Sequence, residues 1–335
     1  MSPMKSRLAV LAAALLLPLA ACDDEPSATP QTTVGDQVEG RSKDIKLGKK
    51  TAVVTPAGRL TVAFGRPVRT LEEEQTTDLV ARTAPKGSTF VPLEWSFKED
   101  VFGKIAILFG DRKPLEVTLV SDGKKYELTP PEDTAGKVTE YVVVDGEAKD
   151  LRLRVTYNKL TQTLDVGTGK LHKGVAAGLY DLPRTKVKIR DCPVKQWFTQ
   201  PDVFPQYTCQ YTTAIASPYV AETWAKPGHT WLSVTVATNL GLWATGDLQG
   251  GVASYRAVSS KELSTVNGKK SLGTLREKVQ EGAASGTIVF EVVGKLPRTM
   301  HLLREYELSL NGANGKSNAP QHRTVRIGGD IKLFY

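Results

Sequence analysis

The sequence predicts an all-β protein made of two antiparallel β-sandwiches in tandem, and three observations predict it. The first is period. In FVPLEWSF (residues 90–97) the apolar Val91, Leu93, Trp95 and Phe97 alternate with Pro92, Glu94 and Ser96. A strand with one buried face requires this, because successive side chains point to opposite sides of the sheet. LRLRVTY (151–157) repeats the pattern, with Leu151, Leu153, Val155 and Tyr157 set against two arginines and a threonine. The second is punctuation. Asp122-Gly123, Asn267-Gly268 and Asn311-Gly312 separate apolar runs, and such pairs supply the positive φ that two-residue hairpin turns need.

The third is internal repetition. LTVAFGRPV (60–68) answers to TTAIASPYV (212–220), and PKGSTFVPLEWSF (85–97) to KPGHTWLSVTVAT (226–238). SDGKKYEL (121–128) answers to VNGKKSLG (266–273), and AGKVTEYVVVDG (135–146) to ASGTIVFEVVG (284–294). Pairing Ala63 with Ala214 and Pro67 with Pro218 gives an offset of 151, and the other three blocks give 141, 145 and about 148. Four blocks in one order at nearly constant offset indicate two copies of one fold.

In chain order, residues 1–21 read as a bacterial lipoprotein signal peptide. Lys5 and Arg7 precede an apolar run from Leu8 to Leu19, which ends at Ala20-Ala21-Cys22. The run is well short of the roughly 20 residues a membrane-spanning helix needs. Leu19-Ala20-Ala21-Cys22 resembles a lipobox, which makes Cys22 the expected lipidation site and the membrane the expected anchor. Two acyl chains hold a soluble domain on a bilayer where one would be marginal. Residues 22–50 are expected to be the lipidated cysteine and a flexible linker. From Cys22 to Gly40 there are five acids and no Lys or Arg, among Pro, Thr, Ser and Gly, a composition that cannot bury enough apolar surface to fold.

The first sandwich is expected over 51–190 and the second over 191–335. Further strands read at KIAILF, LEVTLV, TIVFEVV, YELSL and RIGGDIKLF; LGTLREKVQEG (272–282) is the best helical candidate. With Cys22 lipidated, Cys192 and Cys209 remain, and an exported protein most simply joins such a pair in a disulfide. Residues 41–190 carry 27 basic and 20 acidic side chains, and 191–335 carry 15 and 11. A basic body on an acidic spacer would lean toward anionic lipid head groups or wall polymers, or would simply be kept soluble by its charge. No nucleic-acid partner is indicated.

Each half resembles the telokin-like, immunoglobulin-fold family of secreted and lipid-anchored bacterial proteins. The residues that carry the resemblance are TFVPLEWSF and TWLSVTVAT, the polar hairpin SDGKKYEL, and EGAASGTIVFEVVGKLP in the second copy. The first copy lacks a phenylalanine at the place of Phe290. The resemblance implies two immunoglobulin-like sandwiches and a fold more than an activity.

Catalytic templates fail one after another. ANGKS (313–317) and GTGK (167–170) lack the first glycine of a phosphate loop, and GAASG (282–286) sets Ser285 one place from a nucleophile elbow. These three read as turns. His172, His229, His301 and His322 have no metal-ligand spacing, and the two cysteines have no CxxC partner. Glu72, Glu73, Glu74 and Asp78 crowd one loop without the glycine-spaced ligands of a calcium site. The expectation is therefore no catalytic residue, no metal and no cofactor.

Four of the five tryptophans, Trp197, Trp224, Trp231 and Trp243, fall in the second half. Trp231 is out of phase with Leu232, Val234 and Val236. With Trp224 and Trp243 it would form an exposed aromatic platform for a sugar or a protein, unless the disulfide loop CPVKQWFTQPDVFPQYTC packs over that face. The function expected is a non-catalytic binding or scaffolding module for an envelope protein or polymer, held at the cell membrane on its extracytoplasmic side, most simply on the surface of a one-membrane bacterium. The alternatives are an envelope-directed hydrolase with a site assembled from loops, and an inhibitor or chaperone of an exported protein.

Overall fold

A computed structural model describes residues 31–41, 45–133, 136–182, 187–247, 249–315 and 318–335. The expected signal peptide and Cys22 lie outside the described residues. The protein is all-β and antiparallel, in sandwiched layers. Among the described residues no helix is long and apolar enough to cross a membrane.

The N-terminal half contains β1 (Gln37–Gly40), β2 (Thr51–Thr55), β3 (Gly58–Phe64), β4 (Thr70–Leu71), β5 (Arg82–Thr83), β6 (Ser88–Lys98), β7 (Leu115–Ser121), β8 (Lys124–Leu128), β9 (Val138–Asp145), β10 (Leu151–Tyr157), β11 (Leu160–Asp165) and β12 (Leu171–His172). Two five-stranded sheets form, ordered β1-β9-β6-β3-β2 and β12-β11-β10-β7-β8. The alternation read from the sequence sets their inner faces. Val91, Leu93, Trp95 and Phe97 of β6 meet Leu151, Leu153, Val155 and Tyr157 of β10 in one buried core. Each such side chain contributes about 1.5–3 kcal/mol by leaving water.

The outer face of the first sheet is covered too. Phe90, Tyr141 and Val143 form a smaller core with Val38, Leu71 and Ala84, because the loop carrying β4 and β5 lies across that face, where Val68 and Phe90 exchange backbone hydrogen bonds. This corrects the expected extent of the linker. Residues 37–40 are not tether but the edge strand β1, paired with β9 from Gln37↔Val142 to Gly40↔Thr139, because burying Val38 completes the outer core. KIAILF is likewise not a strand. Gly103–Leu108 is a 3₁₀ helix that sends Ile105 and Leu108 into the main core.

The C-terminal half contains β13 (Ile189–Asp191), β14 (Val203–Thr212), β15 (Ile215–Ser217), β16 (Tyr219–Val220), β17 (Thr223–Trp224), β18 (His229–Gly246), β19 (Val252–Glu262), β20 (Thr265–Val266), β21 (Lys269–Lys270), β22 (Gly273–Gln280), β23 (Ala283–Val293), β24 (Thr299–Asn314) and β25 (His322–Lys332). The repeated blocks fall on matching strands. β6 lies between β9 and β3, and β18 lies between β23 and β15. Val91 faces Val142 in the first copy, and Leu232 faces Phe290 in the second.

The copies diverge in the length of the central strand. Its 18 residues would span roughly 60 Å if straight, at about 3.3 Å per residue. Instead an extra residue, Gly241, enters where the β14 register shifts between Gln206 and Tyr207, and such a bulge bends a strand. β18 pairs with β23 over His229–Asn239 and with β19 only over Trp243–Gly246, so it passes from one layer into the other. Leu232, Val234, Phe290, Met300, Leu302, Tyr306 and Ile331 fill the core between them. The expected helix near residue 275 is the strand β22, which pairs with β23.

The two halves lock through a hairpin. β16 and β17 pair through a two-residue turn, Ala221-Glu222, with φ of 46° and 59°. That left-handed conformation costs non-glycine residues on the order of 1 kcal/mol each. It is held by docking onto the first half. Ala221 and Glu222 donate their N–H groups to the carbonyls of Leu108 and Phe109 at 2.8 and 3.0 Å, and Glu222 pairs with Lys113 at 2.6 Å. Asn158 donates to the Glu222 carbonyl at 2.6 Å. Tyr219 and Ile215, from the second copy, complete the core of the first sandwich.

Candidate binding surfaces

Cys192 and Cys209 are joined in a disulfide, with Cα atoms 5.3 Å apart. Cys209 lies on β14, and the Cys192 N–H donates to the Cys209 carbonyl at 2.9 Å, so the bridge clasps the start of the second copy. The loop it closes packs inward. Trp197 lies over Gly329 of β25, where a Cβ would come within 2.3 Å of the indole nitrogen. Phe198 contacts Tyr207 and Trp243, with ring centroids 6.0 and 6.1 Å apart.

The three tryptophans expected to form a platform are not brought together. Trp243 is only 8% exposed and belongs to the core of the second half, beneath Phe198. Trp224 packs against the first core, its ring tilted against Tyr219 with centroids 4.7 Å apart, and its indole N–H donates to the Tyr157 carbonyl at 3.1 Å. Trp231 alone matches its expected direction off the core. It is half-buried, with its N–H donated to the Thr223 carbonyl at 3.0 Å. The platform is corrected to two structural tryptophans and one surface tryptophan, because the docked hairpin and the disulfide loop claim the other two.

The histidines stay apart. His229 Nδ1 lies 2.7 Å from Glu291 Oε1 across β18 and β23, and His301 Nδ1 lies 2.9 Å from Asp330 Oδ1 across β24 and β25. His172 and His322 are exposed. GTGK is the β11–β12 turn, where Asp165 accepts the Thr168 N–H at 2.8 Å and its hydroxyl at 2.9 Å. Those bonds hold the Asp165 carboxyl below its ordinary range. Ser285 lies within β23 rather than in a turn, opposite Ala237, and Lys316 and Ser317 of ANGKS are outside the described residues. In the acidic loop Asp78 pairs with Arg82 and Glu72 caps a short 3₁₀ turn. Among the described residues no group of three His, Cys, Asp or Glu side chains converges as metal ligands would.

A site that the motif reading missed lies at one end of the N-terminal sandwich. A groove of about 680 Å³ opens where β3 and β11 finish and β2 and β10 begin. Leu47, Phe64, Pro67, Leu164 and Val166 supply its apolar floor and walls. Lys46, Lys49, Arg66 and Lys149 also line it, with no carboxylate among the lining residues. All four cations are exposed. Lys149 pairs with Glu147 at 2.7 Å. Among the described residues Lys46, Lys49 and Arg66 make no ion pair. The backbone shapes the mouth: Gly48 donates to the Phe64 carbonyl, and Gly65 to the Pro92 carbonyl, both at 2.8 Å. The basic excess of residues 41–190 was the sequence signal for this site; only the fold gathers those charges at one end.

Compared with known protein families, curated proteins and solved structures, the chain matches none.

Proposed function

We propose that this chain is a lipid-anchored extracytoplasmic protein that binds or scaffolds an envelope component without catalysing its conversion. The single observation that carries the binding reading is the groove of the N-terminal sandwich, which offers positive charge, hydroxyls and an apolar floor. A site lined in this way can recognise an anion by charge and shape. The neighbouring acids are already engaged, Glu147 with Lys149 and Asp165 with Thr168, and no histidine lines the groove. The anchor reading is supported by the Leu19-Ala20-Ala21-Cys22 run and the apolar segment before it. The docked hairpin supports a scaffolding role, since it joins the halves as one body. Cell fractionation tests the anchor: wild type is expected with membranes, and Cys22→Ala in the soluble fraction or as unprocessed precursor. A Cys22→Ala protein still processed and membrane-bound would sink the lipoprotein reading.

A further inference from the structure

The two ends of the N-terminal sandwich differ. One seats the Tyr219–Trp224 hairpin. At the other the chain enters the fold, because Gln37 pairs with Val142 near the finish of β9, and the cationic groove opens at this same end, beside Ala148 and Leu151. We infer that the groove binds the phosphate-bearing headgroup of an anionic lipid in the membrane to which the chain is tethered, an assignment that rests on the lipid anchor proposed above.

Three observations carry it. Gln31 is nine residue steps from Cys22, and an extended chain covers at most about 3.6 Å per step, so the groove end stays within roughly 30 Å of the lipid surface. The chemistry of the lining fits a phosphodiester: Arg66 offers a planar fork for two phosphate oxygens, and Lys46 and Lys49 add point charges that no neighbouring acid cancels among the described residues. The apolar floor accepts the glyceryl and first methylene groups that follow the phosphate.

The test uses the chain beginning at Asp23, which keeps every strand and all three cores described above. Vesicles of phosphatidylglycerol mixed with phosphatidylcholine are compared with vesicles of phosphatidylcholine alone by co-sedimentation. Binding is expected to the mixed vesicles only, and to weaken with added salt. A basic residue near an anionic bilayer contributes about a fivefold factor in affinity, so joint replacement of Lys46→Gln, Lys49→Gln and Arg66→Gln should weaken binding about a hundredfold. The control set Lys261→Gln, Lys269→Gln and Lys270→Gln, exposed in the second half, should change it by less than about twofold.

Equal losses in the two sets, or equal binding to both vesicle types, would overturn the assignment. Displacement from vesicles by free glycerol phosphate at matched phosphate concentration would make the ligand a soluble phosphate, and would overturn it too. Failure here is distinct from failure of the anchor. A full chain held in membranes through Cys22, whose signal-less body ignores phosphatidylglycerol, sinks the groove and leaves the anchor standing. A body that binds the mixed vesicles through Lys46, Lys49 and Arg66 supports the groove whatever the fate of Cys22.

Discussion

Replacing Tyr219 by alanine should destabilise the N-terminal sandwich although Tyr219 belongs to the second copy. Its side chain is 0% exposed and meets Phe109, Tyr157 and Trp224 at ring-centroid distances of 5.9, 5.7 and 4.7 Å. Its hydroxyl accepts from Asn158 at 3.1 Å. Truncating a buried aromatic costs about 3–5 kcal/mol, and the loss of three aromatic pairs, each about 0.5–1.5 kcal/mol, keeps this site off the bottom of that range, at about 4 kcal/mol. Asn158 keeps its bond to the Glu222 carbonyl, so no polar group adds a further penalty. A loss of about 4 kcal/mol at a urea slope near 2 kcal/mol/M lowers the midpoint by about 2 M. Pulse proteolysis across a urea series, with cleavage sites mapped by mass spectrometry, reads which half opens. The expected result is earlier cleavage within residues 51–182. Cleavage confined to residues 226–335, with the first half unchanged, would refute the idea that the hairpin completes the first core.

The remaining predictions follow from single contacts. Trp243→Ala should cost about 3–5 kcal/mol in thermal unfolding because it empties a buried site, whereas Trp231→Ala, at the surface, should cost about 1 kcal/mol, chiefly its bond to Thr223. Unreduced digests should link the Cys192 and Cys209 peptides, and the paired Cys192→Ser, Cys209→Ser variant should lose about 3 kcal/mol. A smaller loss than for Trp243→Ala would leave the loop as a cover rather than a keystone. Glu140 sits half-buried at the edge of the first core, and burial, reinforced by Glu39, raises its carboxyl pKa above the ordinary value despite its contact with Trp95. A raised acid favours the folded state most below its unfolded pKa, and this advantage is lost as pH rises through the folded value. Glu140→Gln should therefore be more stable than wild type at neutral pH, by under about 1 kcal/mol after solvent screening, with the gap closing below the ordinary carboxylate range in acid-titrated melts.

What the sequence made legible was whatever depends on near neighbours. The alternation of β6 and β10 is local and appears as read. The Asp122-Gly123 and Asn267-Gly268 turns do too, with φ of 48°, 83°, 50° and 73°. β22 was misread because it is a charged strand exposed along most of its length, so no buried face leaves an alternation, and Leu275 and Val279 mimic a helical stripe. The Ala221-Glu222 turn lacks the usual Asn-Gly signal, since its strain is offset by contacts more than 100 residues away in sequence. The fates of Trp224 and Trp243 follow from the same cause. Phase along β18 foretold the direction of Trp231, but a docked hairpin and a cross-linked loop decide the other two. The groove collects charges from three separated segments, each unremarkable when read alone.

The bulged strand β18 has a consequence for how the protein breathes. In the N-terminal sandwich the two sheets share no strand, so one can loosen while the other keeps its ladder. In the C-terminal half one strand carries hydrogen bonds to β14, β15, β19 and β23, and neither layer can open without breaking that common spine. Fluctuations there should be all-or-none, with amide protons of β14, β18, β19, β23 and β24 exchanging at one rate set by global opening, while those of the first half exchange in two groups. A half that seldom opens in part presents few sites to proteases.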